Sequence, residues 1–318
     1  MRAGRNEEAQ ALLARSIGIA VENDLPEQAS AGYGNLAELL FQRDRYSEAL
    51  DLHRQALGLA RRIGSRPLEW HALAEIAFGQ MLVGDWSDAI VSLEELPSGE
   101  GLSITFSAFW VWPQICAARG DLQAVRSIQE RYQSFQVAAD PDERAVYAAV
   151  EALLARAEGK YTDAVDHARR ALETLETVGP GDQTPKLAFI EGVEAALASG
   201  DLAAADEWLS QIEAMKPGEI PPYLRAQGLR LRARMAEVEG KPGAIEPGFK
   251  AAAGLFREIG VPFWLAVTLL EHAEWVASEG RIDEIVPLAA EADTIFERLT
   301  ATPWLERAAR VGDSAVVG

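Results

Sequence analysis

Apolar residues recur along the chain at spacings of three and four, in runs broken by short clusters of glycine, proline and aspartate. That spacing is the period of a helix with one buried face. The clearest run is Tyr33 to Ala60, YGNLAELLFQRDRYSEALDLHRQALGLA. Asn35, Leu36, Ala37 and Leu40 share a face of a first helix, Tyr46 follows a tight turn, and Ala49 and Ala56 mark where a second helix must come close to its neighbour. A hairpin of this kind cannot bury its apolar face alone and stacks on copies of itself.

The pattern returns along the whole chain. Turns fall at Gly4-Arg5, Asp44-Arg45, Gly84-Asp85, Gly120-Asp121, Gly159-Lys160, Gly200-Asp201, Gly240-Lys241 and Gly280-Arg281, in steps of 36 to 41 residues. Seven of these eight turns begin with glycine, as expected where a left-handed residue ends a first helix; Asp44 is the exception. Second helices start after each turn (YSEALDLH, WSDAIVSL, YTDAVDHA), and DLPEQ, IGSRP, LPSGEG, DPDE, VGPGDQTP, KPGEIPP, IGVP and TATP separate the hairpins. Residues 1–318 therefore read as a single array: a half repeat lacking its first helix at 1–25, hairpins at 26–64, 65–99, 100–139, 140–180, 181–219, 220–260 and 261–303, and a cap and tail at 304–318. Because the first unit begins at its turn, the face carrying Ala9, Leu12, Leu13 and Ile17 is expected to lack a cover on one side. The sequence then reads as starting inside a longer polypeptide, or as covered by another domain or subunit, with fraying or self-capping as the plainer alternative.

Each unit resembles a tetratricopeptide (TPR) hairpin, although the period near 40 exceeds the ~34 residues of a minimal unit. Longer second helices or longer links are expected to make up the difference. The resemblance implies an all-α, right-handed α-solenoid with first helices lining its concave face. Further along, PGEIPPYLRAQGLRLRAR, GFKAAAGLFREIGVPFWLAVTLLEHAEWVASEGRIDE and AADTIFERLTATPWLERA resemble the C-terminal repeats of bacterial signalling proteins that join a class III adenylate or guanylate cyclase to an AAA-type ATPase. Similar repeats occur in LuxR-type ATPase regulators, which end in a DNA-binding helix-turn-helix; Trp304 to Gly318 are too few for that module. The resemblance covers the repeats alone, so it implies a regulatory role and carries over no catalytic residue.

Composition narrows the partners. With 30 basic against 49 acidic residues, a net charge of -19 repels phosphate backbones and anionic lipid surfaces, so neither nucleic acid nor membrane is expected. Cys116 is the sole cysteine, which excludes an intrachain disulfide and a cysteine zinc site and reads as a small core residue in a cytoplasmic protein. No stretch approaches the ~20 apolar residues of a membrane helix. Chemistry is sparse: Gly159-Lys160 and Gly240-Lys241 lack the Ser or Thr of a phosphate loop, there is no GxSxG, and His53, His71, His167 and His272 fall in separate repeats without metal-ligand spacing. No enzyme active site, metal or cofactor is expected.

What remains is the concave surface. Carrying the register of Tyr33 to Ala60 through each unit points Asn35, Glu38, Gln42, His71, Glu75, Phe78, Met81, Trp110, Gln114, Leu153, Arg156, Glu191, Glu194, Arg230, Arg234, Glu271 and Glu274 inward. Phe78, Met81 and Trp110 suit the apolar anchors of a partner helix or extended peptide, or, one position out of register, the inter-repeat core. Arg230 and Arg234 share a helix face and could clamp a carboxylate or phosphate, or pair with repeat acids such as Glu191 or Glu271. Trp264, Trp275, Phe256 and Phe263 read as C-terminal core, and Trp304 as a lid on the last hairpin. The leading expectation is a non-catalytic interaction module binding a protein or peptide segment, including a domain of its own parent, and regulating a signalling ATPase or nucleotide cyclase. The alternative is a solenoid that senses a small molecule or peptide in its groove.

Overall fold

A computed structural model describes residues 5–97, 106–216 and 218–317, and these contain helices and no strand. Gly4 of the first turn and most of the LPSGEG interval lie outside the described residues. Helix α1 (Asn6–Glu22) is followed by the hairpins α2 (Pro26–Phe41) and α3 (Tyr46–Ile63), α4 (Arg66–Val83) and α5 (Trp86–Glu94), and α6 (Phe106–Arg119) and α7 (Leu122–Arg131). Next come α8 (Pro141–Ala157) with α9 (Tyr161–Ala171), and the single turn α10 (Leu175–Val178). The hairpins α11 (Gln183–Ser199) and α12 (Leu202–Glu213), α13 (Pro222–Val238) and α14 (Pro242–Ile259), and α15 (Pro262–Ser278) and α16 (Ile282–Leu299) lead to α17 (Thr302–Val317). What reads in sequence as a cap and tail from 304 onward is this last helix, seated against α16, α15 and α6.

The long period is reached in two ways. Helices α3, α14 and α16 each run 18 residues and pass at once into the next first helix, whereas α5 and α7 have only 9 and 10, and after α7 a short 3-10 turn at Gln133–Val137 takes up part of the link. Several first helices open with proline in their first turn, where a missing N–H is no loss. First helices are sandwiched and second helices lie outside. Every residue from Ala72 to Leu82 of α4 is buried, while α9 buries Ala164, Ala168 and Ala171 alone. In α11, Gly192 lies under the Trp208 ring so closely that an added Cβ would sit 1.5 Å from it. At the front, Ile17 is buried beside Gly32, while Leu12 is 65% exposed.

The array coils until units one superhelical turn apart touch. Three successive turns dock on the beginnings of three later first helices: Asp44 on Tyr223 of α13, Gly84 against Pro262 of α15, and Gly120 against Pro303 of α17. The linked residues Asp44 and Tyr223 are 179 apart, and Arg119, which donates to the Leu299 carbonyl, is 180 from it. That offset is about four and a half units of the ~40-residue period, and the rotation between successive units sets it.

Asp44 is the tightest joint in this seam. It takes the left-handed conformation (φ 59°) that glycine adopts in the later turns. Its Oδ1 accepts from Lys186 Nζ at 2.6 Å and from the Tyr46 hydroxyl at 2.7 Å, and its Oδ2 accepts from the Tyr223 N–H at 2.6 Å. The last contact satisfies a free N–H in the first turn of α13 and sets a carboxylate at the positive end of that helix. Lys186 is 1% exposed and its ammonium lies over the Tyr46 and Tyr223 rings.

Two substitutions test this packing. Gly192→Ala forces the Trp208 ring aside and should lower stability by about 1–3 kcal/mol in urea unfolding. Lys186→Met leaves Asp44 buried without its cation and should lower stability by about 3–5 kcal/mol, a larger effect than an exposed ion-pair partner gives. An effect below that of Arg54→Ala, at an exposed pair, would deny the seam its role.

Candidate functional site

The coil encloses a cavity of about 290 Å3. Its wall combines Met81, Leu82 and Trp86 with Gln114, Ala117 and Ala118 from the first half of the chain, Leu153, Arg156, Leu187, Glu191 and Tyr223 from the middle, and Val261, Phe263, Trp264, Pro303, Trp304 and Arg307 from the end. Both sides of the seam therefore contribute. Trp86 is fixed by an Nε1 hydrogen bond to the Met81 carbonyl and by ring contact with Phe263, whose own ring meets Trp264 and Trp304. These aromatics make the wall flat and largely apolar, with polar groups concentrated at Arg156, Glu191, Arg307 and Gln114, the usual composition of a small-ligand site.

A ladder of ion pairs runs along the inner face beside it, and its sign alternates from one first helix to the next. Arg156 of α8 donates to Glu191 of α11. Glu194, one turn on, accepts from Arg230 at 2.5 Å and from Arg234 of α13. Arg230 in turn donates to both oxygens of Glu271 of α15, at 2.8 and 2.9 Å. Glu274 accepts from Nε and Nη2 of Arg307 of α17, at 2.7 and 2.6 Å. Arg230 is fully buried, with its guanidinium over the Trp264 ring at 4.9 Å, and Arg307 lies over Trp304 at 5.5 Å. Burial opposes ionisation of Glu194, yet Arg234, Arg230 and Arg156 together hold its carboxyl well below the usual range.

The opposite end of the inner face is acidic. Glu38 of α2 and Glu75 of α4 are each pushed up to about 7, Glu38 by desolvation, Glu75 and Asp182, and Glu75 by desolvation and Asp182 against the Ser107 hydroxyl that donates to it. Glu75 is buried, whereas Glu38 keeps water contact inside the curl, so its shift is the weaker of the two in stability. His71 is exposed and pushed down by desolvation against the pull of Glu38. Elsewhere, burial pushes the Cys116 thiol up to about 11, the reverse of an activated nucleophile, and both His53 ring nitrogens are buried without a partner. Among the described residues no His, Cys, Asp and Glu cluster could hold a metal, and no helix is long and apolar enough to cross a membrane.

The inward positions expected from sequence divide into four groups. Asn35, Glu38, Gln42 and His71 keep water contact, and Met81, Gln114 and Arg156 reach the cavity. Phe78 and Trp110, offered as groove anchors, are 4% and 5% exposed and belong to the core, because each first helix is covered on both flanks; Glu75 is buried beside them. Arg230 and Arg234 form no open clamp: Glu194 and Glu271 occupy them. Among the cavity residues that the sequence does not reveal are Trp86, Tyr223 and Arg307, while Phe263, Trp264 and Trp304, which read in sequence as packing, line the cavity as well. An unusual number of tryptophans, 8 in all, was the available signal.

A tetratricopeptide repeat family profile matches residues 31–63, the hairpin from which the period was read. A Rap protein complexed with competence and sporulation factor has a similar structure over 88% of this chain and 79% of its own, at 13% identity and a TM-score of 0.60. A monomeric mutant of IFIT1 with Gppp-AAAA aligns over 90% of this chain and 67% of its own, at 12% identity and a TM-score of 0.40. No curated protein matches. The chain is thus an all-α array of TPR-like hairpins, and at these identities the likeness is one of fold alone.

The acidic end predicts a pH dependence. With a folded pKa of about 7 against an ordinary 4.5, Glu75 contributes stability that is complete below the unfolded value and is lost as pH rises through the folded one. Glu75→Gln, which mimics the protonated acid, should therefore match the wild type near pH 4.5 and exceed it by on the order of 1–3 kcal/mol at pH 8. Parallel unfolding curves for the two proteins across that range would refute this.

Proposed function

We propose that this chain is a non-catalytic binding module whose coiled interior holds a small molecule or the end of a peptide, and whose outer surface answers to a protein partner. The observation that carries this reading is the cavity itself: an aromatic chamber built from both sides of the seam, so that an occupant touches the beginning and the end of one superhelical turn together. An open groove for a partner helix has less support, since Phe78 and Trp110, the apolar anchors it would need, are buried in the core. The Rap protein of similar fold is seen in complex with a factor, which agrees with a binding role. The resemblance of Pro217 to Ala308 to cyclase-linked and ATPase-linked repeats supports placing the partner among bacterial cytoplasmic signalling ATPases or nucleotide cyclases, as a neighbour in the same polypeptide or as a separate protein.

The test is ligand-dependent stabilisation. Indole at millimolar concentration should raise the melting temperature of the wild type by a few degrees, as mass action requires of a ligand that binds only the folded chain. Ala117→Leu, which takes up space in the wall, should fold normally and lose most of that response. A purified chain that hydrolyses ATP or GTP at a robust rate would overturn the non-catalytic reading.

A further inference from the structure

Every charge that reaches the cavity is already matched. Arg156 and Arg307 line it, and each gives its Nε and Nη2 edge to a carboxylate, Glu191 for the first and Glu274 for the second. The next rungs, Arg230 and Arg234 against Glu194 and Glu271, balance in the same way. The Nη1 groups of Arg156 and Arg307 have no partner among the described residues. Gln114 spends its Nε2 on the Trp110 carbonyl and keeps Oε1 as an acceptor. The chamber thus offers strong donors and an acceptor without a net charge.

We propose that the cavity selects an uncharged aromatic or similarly flat apolar ligand bearing an amide, whose carbonyl oxygen accepts from Arg156 or Arg307 and whose N–H faces Gln114. This deepens the binding-module reading and rests on it. A carboxylate would enter a chamber whose guanidiniums are already neutralised and would meet Glu191 in the wall, leaving one anion uncompensated. An ammonium would meet two guanidiniums. A carbonyl gains charge-assisted hydrogen bonds and surrenders far less hydration. The ring has Trp86, Phe263, Trp264 and Trp304 to lie against.

Three probes that share one ring isolate the charge: N-acetyltryptophanamide is neutral, N-acetyltryptophan is an anion and tryptamine is a cation. By calorimetric titration of the full chain, the amide should bind at least tenfold more tightly than either ion. Arg307→Lys keeps the positive charge but removes the fork, and should weaken amide binding at least fivefold. Glu274→Gln, at a half-buried position, leaves the chamber with one unmatched cation and should shift preference toward the anion by at least fivefold relative to wild type. Equal or tighter binding of the anion in the wild type, or indifference to charge, overturns this proposal and leaves the binding compartment standing. Failure of all three probes and of indole alone overturns both.

Discussion

The buried pair of Asp44 and Lys186 anchors the seam that holds one turn of the coil against the next, and the interior depends on that seam. A hairpin array specifies contacts between neighbours and leaves its pitch to be settled elsewhere. Here the pitch is settled at a turn. Asp44 adopts the left-handed conformation that glycine takes in the later hairpin turns, and in return its carboxylate meets Lys186, Tyr46 and the first turn of α13. The strain of a left-handed aspartate, on the order of 1 kcal/mol, is small beside what the three hydrogen bonds to a buried charge supply.

Closure changes what the inner face is. In an open solenoid, Arg230, Glu194 and Glu271 would stand in water as weak surface pairs. Inside the coil they are desolvated, and each must find its complement on the adjacent first helix. The result is a polar interior without net charge at one end and a group of partly neutral carboxylates at the other. The tryptophans sit between these regimes, stacking on guanidiniums on one side and bounding empty space on the other.

Much of this was legible from the residues. The turn glycines gave the period, the Tyr33 to Ala60 register placed Arg156, Glu191, Glu194, Arg230, Arg234, Glu271 and Glu274 on the inner face, and the odd turn at Asp44 was visible as an exception. All of these depend on spacings within one or two units. Contacts 179 and 180 residues apart depend on the pitch, to which every inter-repeat angle contributes a small amount, and no local pattern reports that sum. Hence Trp86 could not be placed opposite Phe263, nor Arg307 and Trp304 in a chamber with Met81. The same limit explains Phe78 and Trp110: periodicity gives the face a side chain takes but not whether a neighbouring helix covers it.

The alternating ladder also bears on how such a chain can evolve. Repeat proteins commonly grow and shrink by duplicating or losing one hairpin. From α8 to α17 the inner face reads positive, negative, positive, negative, positive. Removing one hairpin there would set like charges face to face in a dry interior, and would shift every seam contact by one unit. Only even steps preserve the alternation. The array therefore has a parity, and its length is tied to its charge pattern in a way that a solenoid with a uniform inner face would escape.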